Sequence, residues 1–403
     1  MKKKIAIIGA GTAGIQSLCH FLAWLPPDWE VTSIHDPKIP IIGIGESTNP
    51  TFTNALERGT NFNMIEDLKL LDGTQKYGTK YFNWREKSFL SPLLGVSNGI
   101  AIHLNTFYLK DFAFPRFRSI WNEKFKEIQG NISEIKNLQD FVLLKINNEE
   151  YSFDYVIDCT GFPKEYSEYT ISKNETVNEG IVYDLKLVCD NPFGPYTTGH
   201  TATKNGWMFT VPILSRTSYG YLFNNKITTF DEAKKDFEEI LNVKLNENNI
   251  VRYKFTSYYA NNLLNNRIFV NGNKAAFFEP MFANSLFIYD NINRLIYDYI
   301  FTNSSKTIVN EKFETLCKDI ESLIAFHYHG GSTFNTKFWN NAIKNSTKIL
   351  EESKKINKLS PFLKKVKKEK NQNYLYGETW IFSAKNLFIL DKNFQYNYFT
   401  DKE

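Results

Sequence analysis

The chain has 403 residues and a formal net charge of only +4, with its 48 basic residues spread along the sequence. The basic run 364–368 is interpreted as a solvated helix face, so nucleic-acid binding is not expected. A single hydrophobic core rarely grows beyond about 250–300 residues, so two closely packed lobes are expected.

The cysteines and the hydropathy of the chain indicate where in the cell the protein is expected. The cysteines (Cys19, Cys159, Cys189 and Cys317) lie far apart without a Cys-x-x-Cys pair, a pattern typical of reduced cytoplasmic thiols. The basic start Met1–Lys4 precedes a short, glycine-interrupted apolar segment without a cleavage site, which argues against a signal peptide. No apolar run approaches the roughly 18 residues of a membrane span. A cytoplasmic protein that does not cross a membrane is therefore expected.

The first predicted elements are a buried parallel strand, Ile5–Ile8, and a helix whose apolar residues recur at helical spacing. Between them lies Gly9-Ala10-Gly11-Thr12-Ala13-Gly14, in the context that a dinucleotide-binding fingerprint requires. Its glycines allow a tight turn, close approach of a pyrophosphate and close helix–strand packing. The phosphates would bind at the helix N-terminus, which favours anions. The alternative is a glycine-rich turn in an ordinary α/β protein.

A dinucleotide fold usually ends its second strand with a carboxylate that binds the ribose hydroxyl. Here the predicted strand Glu30–Ile34 is followed by His35 and then Asp36. Three interpretations are open: Asp36 substitutes one residue late, His35 binds the ribose, or His35 is an exposed loop residue without a role.

Three later segments have turns suited to a cofactor. The segment Ile39–Pro50 is apolar and is broken by Gly43 and Gly45, which allow close backbone approach. Tyr155–Gly161 is a predicted strand ending in a Thr-Gly turn, and Phe269–Asn273 repeats that pattern. Three strand-then-turn elements that return to one cofactor are hard to explain by chance.

An antiparallel sheet is predicted between these segments, because apolar residues alternate over 181–189 and within 207–223. Thr229 and Glu232 form a predicted capping box that begins a helix. Past Thr333 the pattern is helical, and the chain closes with the aromatic segment Tyr374–Phe388. His327 and His329 are interpreted as packing or hydrogen-bonding residues rather than metal ligands.

A family resemblance rests on two of these regions. Gly206-Trp207-Met208-Phe209-Thr210-Val211-Pro212 resembles the Trp-x-Trp-x-Ile-Pro motif of the flavin-dependent halogenases, the family of the tryptophan halogenases. The loop within Ile39–Pro50 resembles the Gly-x-Gly-Glu-x-Thr-x-Pro loop that runs beside the flavin in that family. The resemblance extends from Lys4 to about Trp339.

The resemblance implies an α/β fold: an FAD-binding glutathione-reductase-type Rossmann fold with an inserted antiparallel sheet and a C-terminal helical lobe. Residues 1–175 would be the first part of the FAD module and 258–330 its completing part. Residues 176–257 would form the inserted substrate-side sheet, and 331–403 the helical lobe.

The implied cofactor is FAD, used as FADH2 with O2 and halide as co-substrates. Only one dinucleotide fingerprint is found, so the reduced flavin is expected from a separate NAD(P)H-dependent flavin reductase, as in two-component halogenases. The cofactor-binding residues implied are Gly9, Ala10, Gly11, Thr12, Ala13, Gly14, His35, Asp36, Gly43, Gly45, Glu46, Ser47, Asn273 and Leu286.

The segment Gly73–Trp84 resembles the halogenase segment that carries the catalytic lysine, and it places that lysine at Lys76. Hypohalous acid released at the flavin is a strong, indiscriminate electrophile. An amine in a water-poor tunnel can hold it by a hydrogen bond or trap it as a haloamine, and desolvation favours the second route by lowering the pKa of the amine. Without the resemblance, Lys76 and Lys80 are interpreted as surface lysines.

In the family, aromatic side chains of the tryptophan motif wall the tunnel and keep the substrate from the flavin. This role falls on Trp207, Phe209 and Pro212, with Phe209 in place of the second tryptophan. His103 lies in a segment similar to the family's Tyr-His-Phe-Asp stretch and is expected near the flavin or the substrate.

The main departure lies at Glu279–Ser285, where the family has Glu-Pro-Leu-Glu-Ser-Thr-Gly. Glu279 is kept on the substrate side, but Phe282 replaces the second glutamate, and the halide-binding pair falls on Asn284 and Ser285. Losing the carboxylate removes a proton acceptor, and serine in place of glycine constrains the halide-binding backbone. We therefore expect halogenation of a small electron-rich aromatic, with bromide or iodide favoured over chloride. The rival interpretations are a two-component FAD-dependent aromatic monooxygenase and a flavin-binding remnant without halogenation.

Overall fold

The computed structural model describes residues 2–43, 46–84, 88–93, 100–186, 191–194, 196–302 and 304–355. Gly45, Leu187, Cys189, the basic run 364–368 and the aromatic segment 374–388 lie outside these ranges.

The described chain is a mixed α/β protein, which confirms the predicted class. Its strands are β1 (Lys3–Ile8), β2 (Trp29–His35), β3 (Thr74–Lys76), β4 (Gly78–Phe82), β5 (Phe89–Pro92), β6 (Ala101–His103), β7 (Phe125–Gln129), β8 (Ile132–Asn137), β9 (Val142–Ile146), β10 (Glu149–Phe153), β11 (Tyr155–Asp158), β12 (Tyr169–Ile171), β13 (Glu179–Leu185), β14 (Thr198–Ala202), β15 (Gly206–Pro212), β16 (Thr217–Phe223), β17 (Val251–Lys254), β18 (Tyr258–Ala260), β19 (Leu264–Asn265), β20 (Ile268–Val270) and β21 (Ala276–Phe277). Its helices are α1 (Thr12–Trp24), α2 (Pro50–Thr60), α3 (Met64–Asp67), α4 (Thr106–Ile120), α5 (Phe230–Leu241), α6 (Asn284–Phe301), α7 (Lys306–His329) and α8 (Lys337–Lys355). Short 3₁₀ turns lie at Leu68–Leu71, Glu247–Asn249, Gly272–Lys274 and Met281–Ala283.

The chain divides into two compact units. The first unit contains residues 1–73, 104–171 and 258–317, and the second contains 74–103, 172–257 and the chain from 318 onward. These boundaries differ from the domain ranges predicted from the sequence. Residues 74–103 fall within the predicted first part of the FAD module but belong to the second compact unit, and residues 318–330 differ in the same way.

The first unit is built on a six-stranded sheet in the order β19-β20-β11-β1-β2-β7. All neighbours pair in parallel except β19 and β20. The predicted strand Ile5–Ile8 lies in its centre as part of β1 and is buried. On one face, the antiparallel strands β8–β10 cover the sheet with an apolar cluster that includes Leu144, Ile146 and Phe153. Because parallel strands end at the same edge, the turns after β1, β2, β11 and β20 can share one ligand there.

The second unit is built on a seven-stranded sheet in the order β17-β13-β16-β15-β14-β4-β5, in which only β4 and β14 pair in parallel. The alternating patterns at 181–185 and 207–223 correctly predict antiparallel strands. One face of this sheet packs on α5, where Met208 and Tyr221 contact Ala233 and Phe237. The predicted capping box at the start of α5 is present, with both reciprocal hydrogen bonds formed between Thr229 and Glu232.

Side chains on the opposite face of the same sheet form an aromatic cluster with residues of α7 and α8. Trp84 packs against Trp207, Tyr328 and Trp339 at ring-centroid distances of 5.2–6.5 Å. The helical prediction past Thr333 is confirmed over Lys337–Lys355. Among the described residues, no helix is long and apolar enough to cross a membrane.

Candidate functional site

The glycine loop joins β1 to α1, and two of its glycines are required by the packing of the protein itself. Gly9 has φ +105°, and a Cβ at this position would lie 2.7 Å from the carbonyl oxygen of Cys159. A Cβ at Gly14 would lie 1.9 Å from the carbonyl oxygen of Gly9. Both positions therefore exclude any larger residue, as the fingerprint requires.

Gly11 differs from its neighbours because nothing in the protein requires a glycine there. Its φ of −75° suits any residue, and no described atom lies within 4 Å of the position that a Cβ would take. It is the N-cap of α1 but offers no side-chain cap, which leaves the first N–H groups of the helix available. Open space beside helix N–H groups fits the approach of a pyrophosphate.

Other predicted cofactor residues of the first unit lie beside this loop. A Cβ on Gly272, in the turn after β20, would lie 2.7 Å from the Cβ of Ala13. Gln16 of α1 donates to the carbonyl oxygen of Leu286 at 3.0 Å. Asn273 accepts a hydrogen bond from Tyr289 at 2.6 Å. The turn after β20 and the first turn of α6 therefore adjoin the helix that the glycine loop begins.

His35 ends β2 and is only 5% exposed, so its interpretation as an exposed loop residue is wrong. Neither ring nitrogen has a hydrogen-bond partner among the described residues, although Nε2 lies 3.7 Å from a carboxylate oxygen of Glu127. Burial lowers the pKa of His35, and Lys110 adds to that effect. Asp36 instead accepts a hydrogen bond from the backbone N–H of Lys38 at 2.9 Å. His35 is thus the residue with unused hydrogen-bonding capacity at this strand end.

The loop after β2 leads into α2. The ring of Phe107, in α4, lies 2.1 Å from where a Cβ of Gly43 would be. Glu46 is buried, and its carbonyl oxygen accepts a hydrogen bond from the N–H of Leu104 at 2.8 Å. Ser47 is half-buried, one residue further along.

The predicted halide residues begin α6. Asn284 is buried, and its side-chain amide donates to the carbonyl oxygens of Glu279 and Met281 at 2.9 and 2.8 Å. Ser285 has a helical backbone, which any residue can adopt, so the constraint predicted for a serine in place of glycine does not arise there. A backbone constraint falls instead on Ala283, whose φ of 50° is left-handed. A non-glycine residue in this conformation costs roughly 1–2 kcal/mol. The start of α6 provides N–H groups that favour an anion.

Lys76 ends β3 in the second unit and is only 5% exposed. Burial lowers the pKa of its amine from 10.5 to about 7. Lys80, four residues later, is exposed, with its ammonium 4.9 Å from the centre of the Phe82 ring. The interpretation of both residues as surface lysines is therefore wrong for Lys76 and correct for Lys80.

His103 lies on β6, directly opposite Thr74 of the lysine strand. The Thr74 hydroxyl donates to the carbonyl oxygen of Pro212 at 2.7 Å, so it accepts from Nδ1 of His103 at 3.1 Å. Nε2 of His103 is then the acceptor for the hydroxyl of Thr198, at 2.9 Å. Burial, and secondly Lys76, lower the pKa of His103 far below 6.5, so this ring is neutral.

The tryptophan motif forms β15. Trp207 is fully buried and donates its indole N–H to the hydroxyl of Tyr328 at 2.8 Å. Phe209 is half-buried, and its ring covers Gly220 on β16, where a Cβ would lie 2.0 Å from the ring. Through Pro212, the end of the motif is hydrogen-bonded to the strand that carries Lys76.

His327 and His329 have the predicted hydrogen-bonding roles. His327 donates from Nδ1 to the carbonyl oxygen of Leu323 at 2.8 Å and accepts at Nε2 from the Tyr81 hydroxyl at 3.1 Å. His329 contacts the Thr347 hydroxyl at 3.0 Å. Within the described part of the chain, no group of three His, Cys, Asp or Glu residues could hold a metal ion.

Sequence reasoning missed three residues of this region: Thr74, Thr198 and His200. His200 lies on β14, two residues after Thr198 and on the same face. It is 3% exposed, and its Nδ1 has no hydrogen-bond partner among the described residues. No local pattern identifies these residues. Thr74 meets His103 through the pairing of β3 with β6, and Thr198 meets it through a side-chain hydrogen bond.

Comparison with known proteins identifies the family. The family model for tryptophan halogenase matches residues 4–140 and 119–383. The chain belongs to the tryptophan halogenase family. Members of this family are flavin-dependent halogenases, so the chain is an enzyme of the oxidoreductase class.

Individual relatives are distant but cover most of the chain. Tryptophan 7-halogenase RebH of Lentzea aerocolonigenes is 20% identical over 430 residues, covering 83% of this chain and 78% of the relative. Tryptophan 6-halogenase ThaL of Streptomyces albogriseolus is 22% identical over 425 residues, covering 84% and 78%.

Solved structures share the fold. A tryptophan halogenase from Shewanella frigidimarina superimposes with a TM-score of 0.77 at 17% identity, covering 98% of this chain and 91% of that one. The flavin-dependent halogenase BrvH from Brevundimonas superimposes with a TM-score of 0.71 at 14% identity, covering 98% and 94%.

Replacing Gly11 with alanine should weaken FAD binding without unfolding this halogenase. We expect Gly11→Ala to lower FAD affinity by about tenfold or more, because the added methyl group occupies the space beside the first turn of α1. Its effect on the unfolding free energy of the flavin-free protein should stay near 1 kcal/mol. FAD fluorescence titration and thermal denaturation measure the two effects. Gly14→Ala is the control and should lower the melting temperature strongly. Unchanged FAD affinity in Gly11→Ala would contradict this assignment.

Replacing Lys76 with methionine should stabilise the enzyme in a pH-dependent way. The shift in pKa from 10.5 to about 7 corresponds to at most roughly 5 kcal/mol of lost stability. This loss is complete below about pH 7, where both states are protonated, and it disappears as the pH approaches 10.5. The rise in melting temperature of Lys76→Met should therefore be largest below pH 7 and shrink towards pH 10. The exposed Lys80→Met serves as the control and should show no such trend. A gain independent of pH would refute the buried-amine interpretation.

Proposed function

We propose that this enzyme uses FADH2, O2 and halide to make hypohalous acid, which passes to Lys76 and halogenates a small electron-rich aromatic. The single observation that carries the proposal is the buried amine of Lys76. Its lowered pKa makes it a nucleophile near neutral pH. An incidental surface lysine would retain its hydration and its ordinary pKa.

The first unit is proposed as the FAD-binding module, a Rossmann fold of the glutathione-reductase type. Its support is the glycine loop, with the open space beside Gly11 and the uncapped first turn of α1. His35 is proposed to hydrogen-bond the ribose, since its buried ring nitrogens have no hydrogen-bond partner among the described residues. When bound, reduced FAD would supply two of the four electrons that O2 accepts, and halide would supply the other two as it is oxidised to hypohalous acid. A separate flavin reductase is proposed to provide the reduced FAD.

The role proposed for Lys76 balances as a two-step transfer. The neutral amine attacks the halogen of hypohalous acid, an N–halogen bond forms, the O–halogen bond breaks, and water leaves with the amine proton. The haloamine then takes a proton from water and delivers halogen to an aromatic carbon, and the N–halogen electron pair stays on nitrogen, which becomes the neutral amine again. The proton lost by the ring neutralises the hydroxide that this leaves. The neutral ring of His103 supports this chemistry, because a cation there would oppose the positive charge that develops on the lysine nitrogen as it attacks.

The substrate class follows from position 282. A glutamate there would accept a proton and stabilise the cationic ring intermediate, and Phe282 can do neither. An arene activated by its own hydroxyl or amino group stabilises that cation itself. The named relatives act on tryptophan, whereas we propose a phenol-like or other electron-rich ring for this enzyme. In the second unit, Trp207, Phe209 and Pro212 are proposed to line its site.

Halide selection is proposed to take place at the start of α6. The predicted halide pair is Asn284 and Ser285; Asn284 is buried, and the left-handed Ala283 directly precedes the pair. Bromide and iodide lose their hydration more readily than chloride and are easier to oxidise. We therefore propose that this site favours the heavier halides.

Product analysis over a panel of phenols and indoles tests the proposed reaction. With reduced FAD, O2 and halide, the wild type should give mass shifts that match the halide supplied. Lys76→Ala should reduce these products to the level of free hypohalous acid, because the amine that captures the oxidant is gone. Lys80→Ala should behave as wild type. Hydroxylated products that survive Lys76→Ala would establish the monooxygenase, and FAD binding without any product would establish the remnant.

A competition between halides tests the proposed preference. With chloride and bromide at equal concentration, we expect brominated product to dominate, and with chloride and iodide the iodinated product. Liquid chromatography with mass spectrometry quantifies both from one mixture. A parallel reaction of the same substrate with added hypochlorous or hypobromous acid gives the intrinsic reactivity for comparison. Chloride outpacing both other halides would overturn the preference.

A further inference from the structure

We infer that His200 is a catalytic residue that accepts the proton leaving the halogenated ring carbon. This inference rests on the proposed function and deepens it, because it supplies the proton acceptor that Phe282 cannot provide. The observation that carries it is a buried imidazole with one ring nitrogen, Nδ1, that has no hydrogen-bond partner among the described residues. His200 lies on the same strand as Thr198, which is hydrogen-bonded to His103.

The first observation is the unused ring nitrogen. His103 and His327, the other buried histidines of this region, have both ring nitrogens engaged in hydrogen bonds. Nδ1 of His200 is buried and has no such partner within the described chain. Leaving a buried polar atom without a partner costs about 1–3 kcal/mol. Structural packing alone would be served better by an apolar side chain.

The second observation is how rigidly the ring is held. Register places His200 between Tyr81 on β4 and Phe209 on β15. Its ring packs edge-on against Tyr81 at 5.2 Å and lies 4.9 Å from Trp207. Its backbone carbonyl accepts the indole N–H of Trp84 at 3.1 Å. These contacts fix the imidazole in one place while leaving Nδ1 without a hydrogen bond.

The third observation is electrostatic. Burial lowers the pKa of His200 well below 6.5, and His327 and Lys76 lower it further. The ring is therefore neutral whenever the enzyme works near neutral pH, with a lone pair available. Such an imidazole is a weak base. A halogenated cationic ring is a far stronger acid than an imidazolium, so a weak base in the right position is sufficient.

The step balances as follows. Halogen transfer from the protonated Lys76 haloamine, which leaves the neutral amine, or directly from hypohalous acid, which leaves hydroxide, forms the carbon–halogen bond and a ring cation. The C–H bond at that carbon then breaks, its electron pair restores the aromatic ring, and the proton moves to Nδ1 of His200. His200 thus does not oxidise anything, and the oxidant is the hypohalous acid of the proposed function.

A substrate isotope competition tests this role. Equal amounts of a protio and a ring-deuterated phenol or indole, whichever the wild type halogenates, are supplied with bromide, FADH2 and O2. In the wild type, proton loss is fast, so both forms should react equally. In His200→Asn, which keeps a polar group but removes the base, we expect product formation to fall by about 100-fold and the protio substrate to be favoured.

His327→Gln is the matched control, because His327 is a buried neighbour whose two ring nitrogens are both hydrogen-bonded. It should lower the melting temperature without creating isotope discrimination. His200→Gln serves as a second base-free variant if His200→Asn does not fold. Full activity in a folded His200 variant, or reduced activity without isotope discrimination, would overturn the inference. If the wild type itself yields no halogenated product, the proposed function fails instead.

Discussion

The burial of one amine is the constraint on which the second unit depends. Lys76 loses most of its hydration at the end of β3, and burial moves its pKa to about 7. Burial is the cause of this shift in the pKa of Lys76. His103 is kept neutral by burial and by Lys76 itself, and its tautomer is fixed by Thr74 and Thr198. His103 is thus held by neutral hydroxyl groups.

The first unit solves the opposite electrostatic problem. There the ligands expected are anions, and the chain presents the N-termini of α1 and α6. α1 begins at the glycine loop without a side-chain cap, and α6 begins after the left-handed Ala283. Helix N–H groups are fixed dipoles that need no counter-charge and no protonation change. The two compact units therefore rely on different electrostatic features. The first unit has oriented backbone dipoles at helix N-termini, and the second has the desolvated amine of Lys76.

Sequence reasoning succeeded where the signal is local. The glycine spacing around Gly9 and Gly14 predicts a turn whose close contacts the structure shows, and alternation predicts β13, β15 and β16. Sequence reasoning failed where the position of a residue depends on the burial of its side chain or on contacts between distant segments. A surface position for Lys76 is an ordinary expectation for a lysine, and only tertiary packing reverses it. Thr198 meets His103 across 95 residues of sequence, through hydrogen bonding that no short window contains.

The stability that the protein loses by burying Lys76 and His200 also distinguishes an active enzyme from a flavin-binding remnant without activity. A buried lysine and a buried imidazole with an unused nitrogen both destabilise the fold. Apolar residues of similar volume at these positions would be more stable, and a chain released from catalysis would have no reason to avoid them. Lys76 and His200 both belong to the second unit. Active sites often contain residues that destabilise the folded protein, because catalysis needs them there. Packing alone does not easily explain two such residues where chemistry is proposed.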